Sequence, residues 1–132
     1  MAYDTANGYM YAQNGHFAQS LVVVNAAAET VLSPIPLGLN GSWMDPVGIA
    51  VDSAADRVFL ADGDSGNVTV IDGATDSVLG QIDPGCSFRM NCNLATVATD
   101  SSTDGLFIDT VSSNYRGGGN LTVLNTSSDR VV

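Results

Sequence analysis

Lysine is absent from this chain, and basic residues are scarce. Four arginines stand against 14 acidic residues, so the 132-residue chain has a formal charge of -10 at pH 7. A protein that binds nucleic acid or an anionic membrane surface needs a basic patch, which this composition does not supply. We therefore expect no nucleic-acid partner. The acid excess is nearly all aspartate, which indicates turns and solubility; a high-salt or acidic habitat, or divalent-cation binding, is the alternative.

Long hydrophobic runs are also missing. Hydrophobic residues make up 45% of the chain, yet no window approaches the roughly 20 apolar residues of a membrane helix. The N-terminus lacks the basic start, apolar run and small-residue cleavage site of a signal peptide. We therefore expect no membrane span, and a mature or excised segment of a longer protein.

Only two cysteines and one histidine are present. Cys86 and Cys92 are close enough in sequence to favour a local disulfide; two buried or free thiols are the alternative. A structural zinc site needs four ligands, and His16 is far away in sequence. The spacing gives His16 no serine or cysteine partner, so we interpret it as non-catalytic. We expect no catalytic residue, no metal site and no cofactor.

What the chain does contain is an internal repeat. Asp4, Asp52 and Asp100 are 48 residues apart, and each ends a short apolar run. The next run of each copy places an aromatic residue at one shared position, which we expect to face inward. These aromatic residues are Tyr11, Phe59 and Phe107. The third runs are residues 20–25, 67–72 and 120–125, and the fourth are 29–32, 76–79 and 129–132.

The middle copy defines the architecture. Its four runs are rich in β-branched residues, and the breaks between them have the length and composition of hairpin turns. The predicted strands are Val47–Asp52, Arg57–Ala61, Asn67–Asp72 and Ser77–Ile82. We predict three four-stranded antiparallel sheets over residues 1–33, 46–82 and 95–132, joined by linkers 34–45 and 83–94.

Several residues between the strands allow two interpretations. Trp43 is expected to be a packing anchor between adjacent sheets rather than a ligand platform. The long glycine-rich loop carrying Tyr115 and Arg116 is expected to be a surface insertion, with a partner contact as the alternative. Residues 62–66, Asp-Gly-Asp-Ser-Gly, are expected to form a turn; a weak Ca²⁺ loop is the alternative.

The repeated aspartates allow two interpretations as well. Asp4, Asp52 and Asp100 are expected to accept hydrogen bonds from turn amides. If the structure bound a cation on its axis, this trio would be the candidate ligand set.

Four asparagines lie in glycosylation sequons. They are Asn40, Asn67, Asn120 and Asn125. Together with the expected disulfide, these sequons indicate a location outside the cell.

Three segments of the middle copy resemble the YVTN-type β-propeller repeat. They read PVGIAVD from Pro46, RVFLAD from Arg57 and NVTVID from Asn67. The family unit looks like P-x-G-(V/I)-A-V-D, then (V/I)-Y-V-x-N, then N-x-V-S-V-I-D; Phe59 and Asp62 stand in place of its usual Tyr and Asn. The resemblance implies an all-β fold of three propeller blades. Since closed propellers have about 4–8 blades, these three form an incomplete ring.

The same resemblance implies a role. Such repeats are found in surface-layer and secreted proteins and in enzyme-associated propellers. We expect a non-enzymatic structural or protein-interaction module of a secreted or cell-surface protein, with self-assembly into a lattice or filament as one form of that role. Its expected partners are further blades of the same chain or other copies of it. The alternative is part of a lactonase-like or lyase-like propeller enzyme whose catalytic residues lie mostly outside this segment.

Overall fold

The computed structural model describes residues 1–13, 19–38, 45–86, 92–112, 119–128 and 130–131. Every regular element in these ranges is a β-strand. The strands form three antiparallel sheets, one for each sequence copy, and we call each sheet a blade. A helix that could cross a bilayer is not found in the described ranges. The predicted all-β class is therefore confirmed.

The first four strands of each blade follow one another across the sheet in chain order. Blade 1 contains β1 (Ala2–Tyr3), β2 (Tyr9–Gln13), β3 (Ser20–Asn25), β4 (Thr30–Val31) and β5 (Ile35–Pro36). Blade 2 contains β6 (Pro46–Asp52), β7 (Arg57–Asp62), β8 (Val68–Asp72) and β9 (Ser77–Ile82). Blade 3 contains β10 (Cys92–Asp100), β11 (Gly105–Ser112), β12 (Leu121–Asn125) and β13 (Arg130–Val131).

Blade 1 has one more strand than its sequence predicts. Residues Ile35–Pro36 lie in the expected linker, but they pair with Ser20 and Leu21 of β3. The Ile35 side chain is buried, so burial of this apolar residue accompanies the extra pairing. The first residues of β10, from Cys92, also fall within a segment expected to be a linker.

One turn chemistry recurs at the hairpins. Asp4 Oδ1 accepts a hydrogen bond from the Ala6 N–H at 2.8 Å, and Asp52 Oδ1 accepts one from Ala54 at 3.0 Å. The equivalent bond joins Asp100 to Ser102 at 3.0 Å. These are Asx turns, in which a short carboxylate replaces a backbone acceptor. The role predicted for the three repeated aspartates is thus confirmed.

The turns close through a residue in the left-handed backbone region. Short polar residues and glycine tolerate this conformation best. The residues concerned are Gly8, Glu29, Asp56, Gly66, Asp76 and Asp104, with φ between 52° and 76°. An Asp or Asn stands four residues before each of them, so the aspartate excess has a structural explanation.

The first strands of neighbouring blades lie side by side. Strand β6 lies beside both β1 and β10. A Cβ on Gly48 of β6 would lie 3.0 Å from the Val97 backbone nitrogen of β10. Glycine at this position therefore allows the two backbones to approach closely. Pairing also shifts by one residue beside Gly48, and again at the equivalent place near Thr96.

Candidate interaction surfaces

Each blade has two faces, because side chains alternate along a strand. We call the face turned toward the following blade the leading face, and the face turned toward the preceding blade the trailing face. Blade 2 lies between the other two, and in the described part of the chain no strand of blade 1 contacts a strand of blade 3. The described residues therefore form two interfaces between blades and leave two blade faces open.

The first interface joins the leading face of blade 1 to the trailing face of blade 2. Its core is one cluster of fully or nearly fully buried residues. The cluster includes Tyr11, Leu21, Val23 and Ile35 from blade 1, and Val58, Leu60 and Ile71 from blade 2. An aromatic ring from one blade thus packs on branched aliphatic side chains of the next.

The second interface joins the leading face of blade 2 to the trailing face of blade 3. It buries Phe59, Ala61, Val68 and Val70 from blade 2 against Leu94, Val97, Leu106, Ile108 and Leu124 from blade 3. Phe59 occupies the position of Tyr11, and Leu106 and Ile108 occupy the positions of Val58 and Leu60. The two interfaces therefore repeat one packing scheme.

The leading face of blade 3 is open. Leu121 is equivalent to Leu21 and Val68 in the other two copies. Those two residues are completely buried, whereas the side chain of Leu121 is 63% exposed. Phe107 and Val123 share this face and are only half-buried. The prediction that the three aromatic residues face inward is correct for Tyr11 and Phe59 but not for Phe107, which no other blade covers in the described part of the chain.

The trailing face of blade 1 is open as well. Tyr3, Met10, Val24 and Val31 pair across the sheet in one row on this face. Met10 and Val24 are equivalent to the buried Val58 and Ile71 of blade 2, yet both are only half-buried. Val31 is 72% exposed. Each open face thus carries apolar residues at the positions whose equivalents are buried in the formed interfaces.

Polar groups at the turns complete the second interface. The Asp52 carboxylate is fully buried, and its Oδ2 accepts a hydrogen bond from the Thr126 hydroxyl at 2.6 Å. Arg57 Nη1 donates to the Thr126 carbonyl at 2.6 Å. The pKa of Asp52 is lowered overall. Burial, the largest single effect, acts to raise it, but hydrogen bonds from Thr126, Ser101 and two backbone amides together outweigh burial. Charge-assisted hydrogen bonds of this kind strengthen the contact.

The first interface is built differently at the same place. Gly73 stands where blade 3 has Thr126, so no hydroxyl is available there. The Gly73 carbonyl instead accepts from Asn7 Nδ2 at 3.3 Å and from the Tyr11 hydroxyl at 3.4 Å. Burial raises the pKa of Tyr11 to about 12; the Asn7 hydrogen bond opposes this shift, and nearby aspartates add to it. Tyr11 therefore acts as a neutral hydrogen-bond donor.

The predicted disulfide is present. Cys86 and Cys92 are bonded, with Cα atoms 5.3 Å apart. Cys86 is buried in the core of the second interface, and Cys92 packs against that core. The bond therefore ties the segment after β9 to the start of β10 where blades 2 and 3 meet.

The alternative interpretations of the sequence included two cation sites, one formed by Asp4, Asp52 and Asp100 and one by residues 62–66. In the part of the chain that the structure describes, no group of three or more His, Cys, Asp or Glu side chains is arranged to hold a metal ion. Residues 62–66 form the expected turn, in which the Asp62 carboxylate accepts hydrogen bonds from the Asp64 N–H and the Ser65 hydroxyl. Asp62 Oδ1 also accepts from the Asp45 N–H at 2.9 Å, so both oxygens of Asp62 are engaged by donors of the protein.

Three of the four sequons can be placed. Asn120 is exposed, Asn67 is half-buried, and Asn125 Oδ1 accepts hydrogen bonds from Ser127 and Ser128. Several predictions fall on residues outside the described ranges. These residues are Asn40, His16, Trp43, Tyr115 and Arg116.

Sequence reasoning missed the residues that complete the two interfaces. Asn7, Asp56 and Gly73 meet at the first interface, and Thr126 lies at the second. The alignment of copies contained one signal: Gly73 and Thr126 occupy the same position and differ in whether they can donate a side-chain hydrogen bond.

The outer edge of blade 2 is exposed but is a poorer docking surface. All residues of β9 are exposed except the half-buried Ile82. Val70 of β8 pairs with Gly80 of β9, and the next residue, Ile71, pairs with Val78. Leu79 is therefore left unpaired in a β-bulge. A bulge of this kind bends an edge strand and disturbs its regular hydrogen-bonding row. We therefore take the two open blade faces as the candidate interaction surfaces.

Comparison with known proteins supports the fold. No family model matches the sequence, and no curated protein does so either. Among solved structures, the chain is similar to Kuenenia stuttgartiensis hydrazine synthase, with a TM-score of 0.72, 13% identity, and 99% of this chain covering 33% of that chain.

Two further similarities agree with the first. A structure of a nidogen/laminin complex matches with a TM-score of 0.68 and 17% identity, covering 99% of this chain and 45% of that chain. Saccharomyces cerevisiae Sqt1 matches with a TM-score of 0.64 and 13% identity, covering 94% of this chain and 32% of that chain. This chain thus spans less than half the length of each structure. Since all three are β-propeller-like proteins, the three blades form an incomplete β-propeller.

Proposed function

We propose that this chain is a non-enzymatic structural or protein-interaction module whose open faces are covered by like blades. The observation that carries this proposal is the contrast among three equivalent residues. Leu21 and Val68 are completely buried by the next blade, while Leu121 is 63% exposed. Exposed apolar faces of this kind mark interaction sites. A blade with a trailing face like those of blades 2 and 3 has the complementary shape.

A second copy of the chain offers such a face. The trailing face of blade 1 carries Met10 and Val24, at positions where the covered blades have aliphatic residues. Because leading and trailing faces differ, the contact between copies would be heterologous, which generates rings or open filaments. Further blades of the same chain would satisfy the same face by the same packing.

Sedimentation velocity of the full chain over a range of concentrations tests self-association. Leu121→Asp places a charge on the leading face, and Val24→Asp places one on the trailing face, so each variant should lose the concentration-dependent species. Leu79→Asp, on the exposed edge of β9, is the matched control and should associate like the wild type.

Mixing the two variants provides a sharper test. Each variant keeps one intact face, so a mixture of Leu121→Asp and Val24→Asp should form a dimer, although neither variant does so alone. A wild-type chain that stays monomeric at every concentration would exclude its own copies as the partner. Equal loss of association in Leu79→Asp would instead place the contact on the edge of β9.

We further propose an extracellular or cell-surface location. The Cys86–Cys92 disulfide supports it, because such bonds persist mainly in oxidising compartments. The exposed Asn120 sequon is compatible with glycosylation there. Intact mass of the protein recovered from a secreting host, before and after glycosidase treatment, tests this; an unmodified and reduced chain would contradict it.

A further inference from the structure

The two interfaces differ at one pair of equivalent carboxylates. Asp52 is the last residue of β6 and Asp4 directly follows β1, and both are fully buried. Asp52 Oδ2 accepts the Thr126 hydroxyl. Asp4 Oδ2 is buried without a hydrogen-bond donor. A buried carboxylate oxygen that lacks a donor is costly and rare, so the Asp4 position requires an explanation.

Asp56 occupies the space that the missing threonine would need. A Cβ on Gly73 would collide with Oδ1 of Asp56, and it would lie 3.3 Å from the Asp56 Cγ. The Gly73 N–H also donates to the Asp56 backbone carbonyl at 2.8 Å. The equivalent bond in blade 3 joins the Thr126 N–H to the Asp104 backbone carbonyl at 2.7 Å. Glycine at position 73 therefore makes room for the Asp56 carboxyl group at the interface.

The Asp56 carboxyl group faces blade 1. Its Oδ1 accepts a weak hydrogen bond from Asn7 Nδ2 at 3.4 Å. A hydrogen bond with the Asp4 side chain is one cause of the raised pKa of Asp56, which pairs the two carboxyl groups across the interface. Two carboxyl groups can form this bond only when one of them carries a proton, since ionised carboxylates only accept.

The surroundings of Asp56 are acidic. The ionisable groups that face it are Asp4 and Tyr11 from blade 1, and Asp72 at the end of β8 and Asp76 just before β9. Burial raises the pKa of Asp56, and the bond to Asp4 and the charges of Asp4, Asp72 and Asp76 raise it further. Arg57, its neighbour in sequence, donates to the Thr126 carbonyl at the second interface.

We propose that Asp4 and Asp56 share one proton across the first interface, and that this proton makes the packing of blade 1 on blade 2 sensitive to pH. The protonated Asp56 donates to Asp4 Oδ2 and takes the place of the threonine hydroxyl. When Asp56 loses the proton, two carboxylates face each other at a site with other negative charges nearby.

The sign of the effect follows from the direction of the shift. A group whose pKa is raised on folding contributes its stabilisation fully below its ordinary pKa, and this contribution is lost as the pH rises through the folded-state pKa. Asp52 has a lowered pKa, so its contribution is lost when the pH falls. The two interfaces therefore respond to pH in opposite directions.

The test compares two asparagine variants in urea unfolding of the full chain from about pH 4 to about pH 8. In Asp56→Asn the amide donates to Asp4 at every pH, and asparagine tolerates the left-handed backbone at this position. The folding equilibrium constant of Asp56→Asn, divided by that of wild type, should rise with pH by at most about tenfold per pH unit. Asp104→Asn is the matched control, because Asp104 has the same φ of 52° beside an interface that already has Thr126.

Asp104→Asn should not reproduce this rise, because the Thr126 hydroxyl already donates at its interface. Carboxyl-carbon NMR of wild type supplies a second measurement, in which Asp56 should titrate above the ordinary aspartate range. The proposal is overturned if Asp56 titrates in the ordinary aspartate range, or if both variants give the same ratio at every pH. A shift of the Asp4 and Asp56 resonances on adding Ca²⁺ at neutral pH would also overturn it, since a cation would then bridge the pair.

Discussion

The two formed interfaces share a packing scheme but differ in how they satisfy their buried polar groups. The second places the Thr126 hydroxyl on Asp52, adds Arg57, and includes the disulfide in its core. The first has Gly73, Asn7, Tyr11 and two facing carboxyl groups. Apolar packing is therefore common to both, while hydrogen bonding distinguishes one blade contact from the next. The variants below separate these contributions.

We expect the largest effect from a substitution that removes the aromatic residue of the second interface. Phe59→Ala should lower the free energy of unfolding by about 3–5 kcal/mol, because it leaves a cavity in a fully buried core. Phe107→Ala removes the equivalent ring from the open face and should cost about 1 kcal/mol or less, since that ring is only half-buried. Urea unfolding of dilute protein measures both values.

The comparison of these two variants also reports on the open face. If both substitutions cost the same in dilute protein, the leading face of blade 3 is covered in solution. If the cost of Phe107→Ala grows with protein concentration, a second copy covers that face, as proposed. A small loss for Phe59→Ala would contradict the packing of blade 2 on blade 3.

The next effect concerns the hydrogen bond that only the second interface has. Thr126→Val keeps the shape of the side chain but removes the donor to the buried Asp52. Leaving this carboxylate without its donor should cost about 1–3 kcal/mol at neutral pH. Thr126→Ser keeps the hydroxyl and should retain most of the stability.

The pH dependence of Thr126→Val identifies the cause. The lowered pKa of Asp52 means that its stabilisation is present above the ordinary aspartate pKa and is lost as the pH falls through the folded-state pKa. The deficit of Thr126→Val relative to wild type should therefore shrink in acid. A deficit that is constant with pH would indicate lost packing rather than a lost bond to Asp52.

Much of the fold could be predicted because it depends on local patterns. The strand at Ser77–Ile82 was predicted with the bounds that the structure gives, and the aspartate turns follow from a carboxylate that reaches its own backbone two residues later. Ile35 was missed because a two-residue strand leaves no alternation to detect. Its pairing depends on a partner strand 14 residues earlier in the chain.

The interaction surfaces could be predicted only in part. Alignment shows that Leu21, Val68 and Leu121 are equivalent, but the sequence does not say which of them a neighbouring blade covers. The contact of Asp4 with Asp56 was not predicted, because it joins turns from two blades and depends on the absent side chain of Gly73. Such contacts are set by the docking of blades and have no periodic signal.

The smallest effect concerns a turn rather than an interface, and it tests whether the blades differ in backbone strain. Glu29 and Asp76 close equivalent turns with φ of 53° and 52°, but glutamate lacks the short side chain that suits this region. Glu29→Gly should raise the free energy of unfolding by about 0.5–1 kcal/mol. Glu29→Ala removes the same charge but keeps the Cβ, so it should change little. Because Glu29 is exposed, an equal gain in both variants would assign the effect to charge instead of backbone conformation.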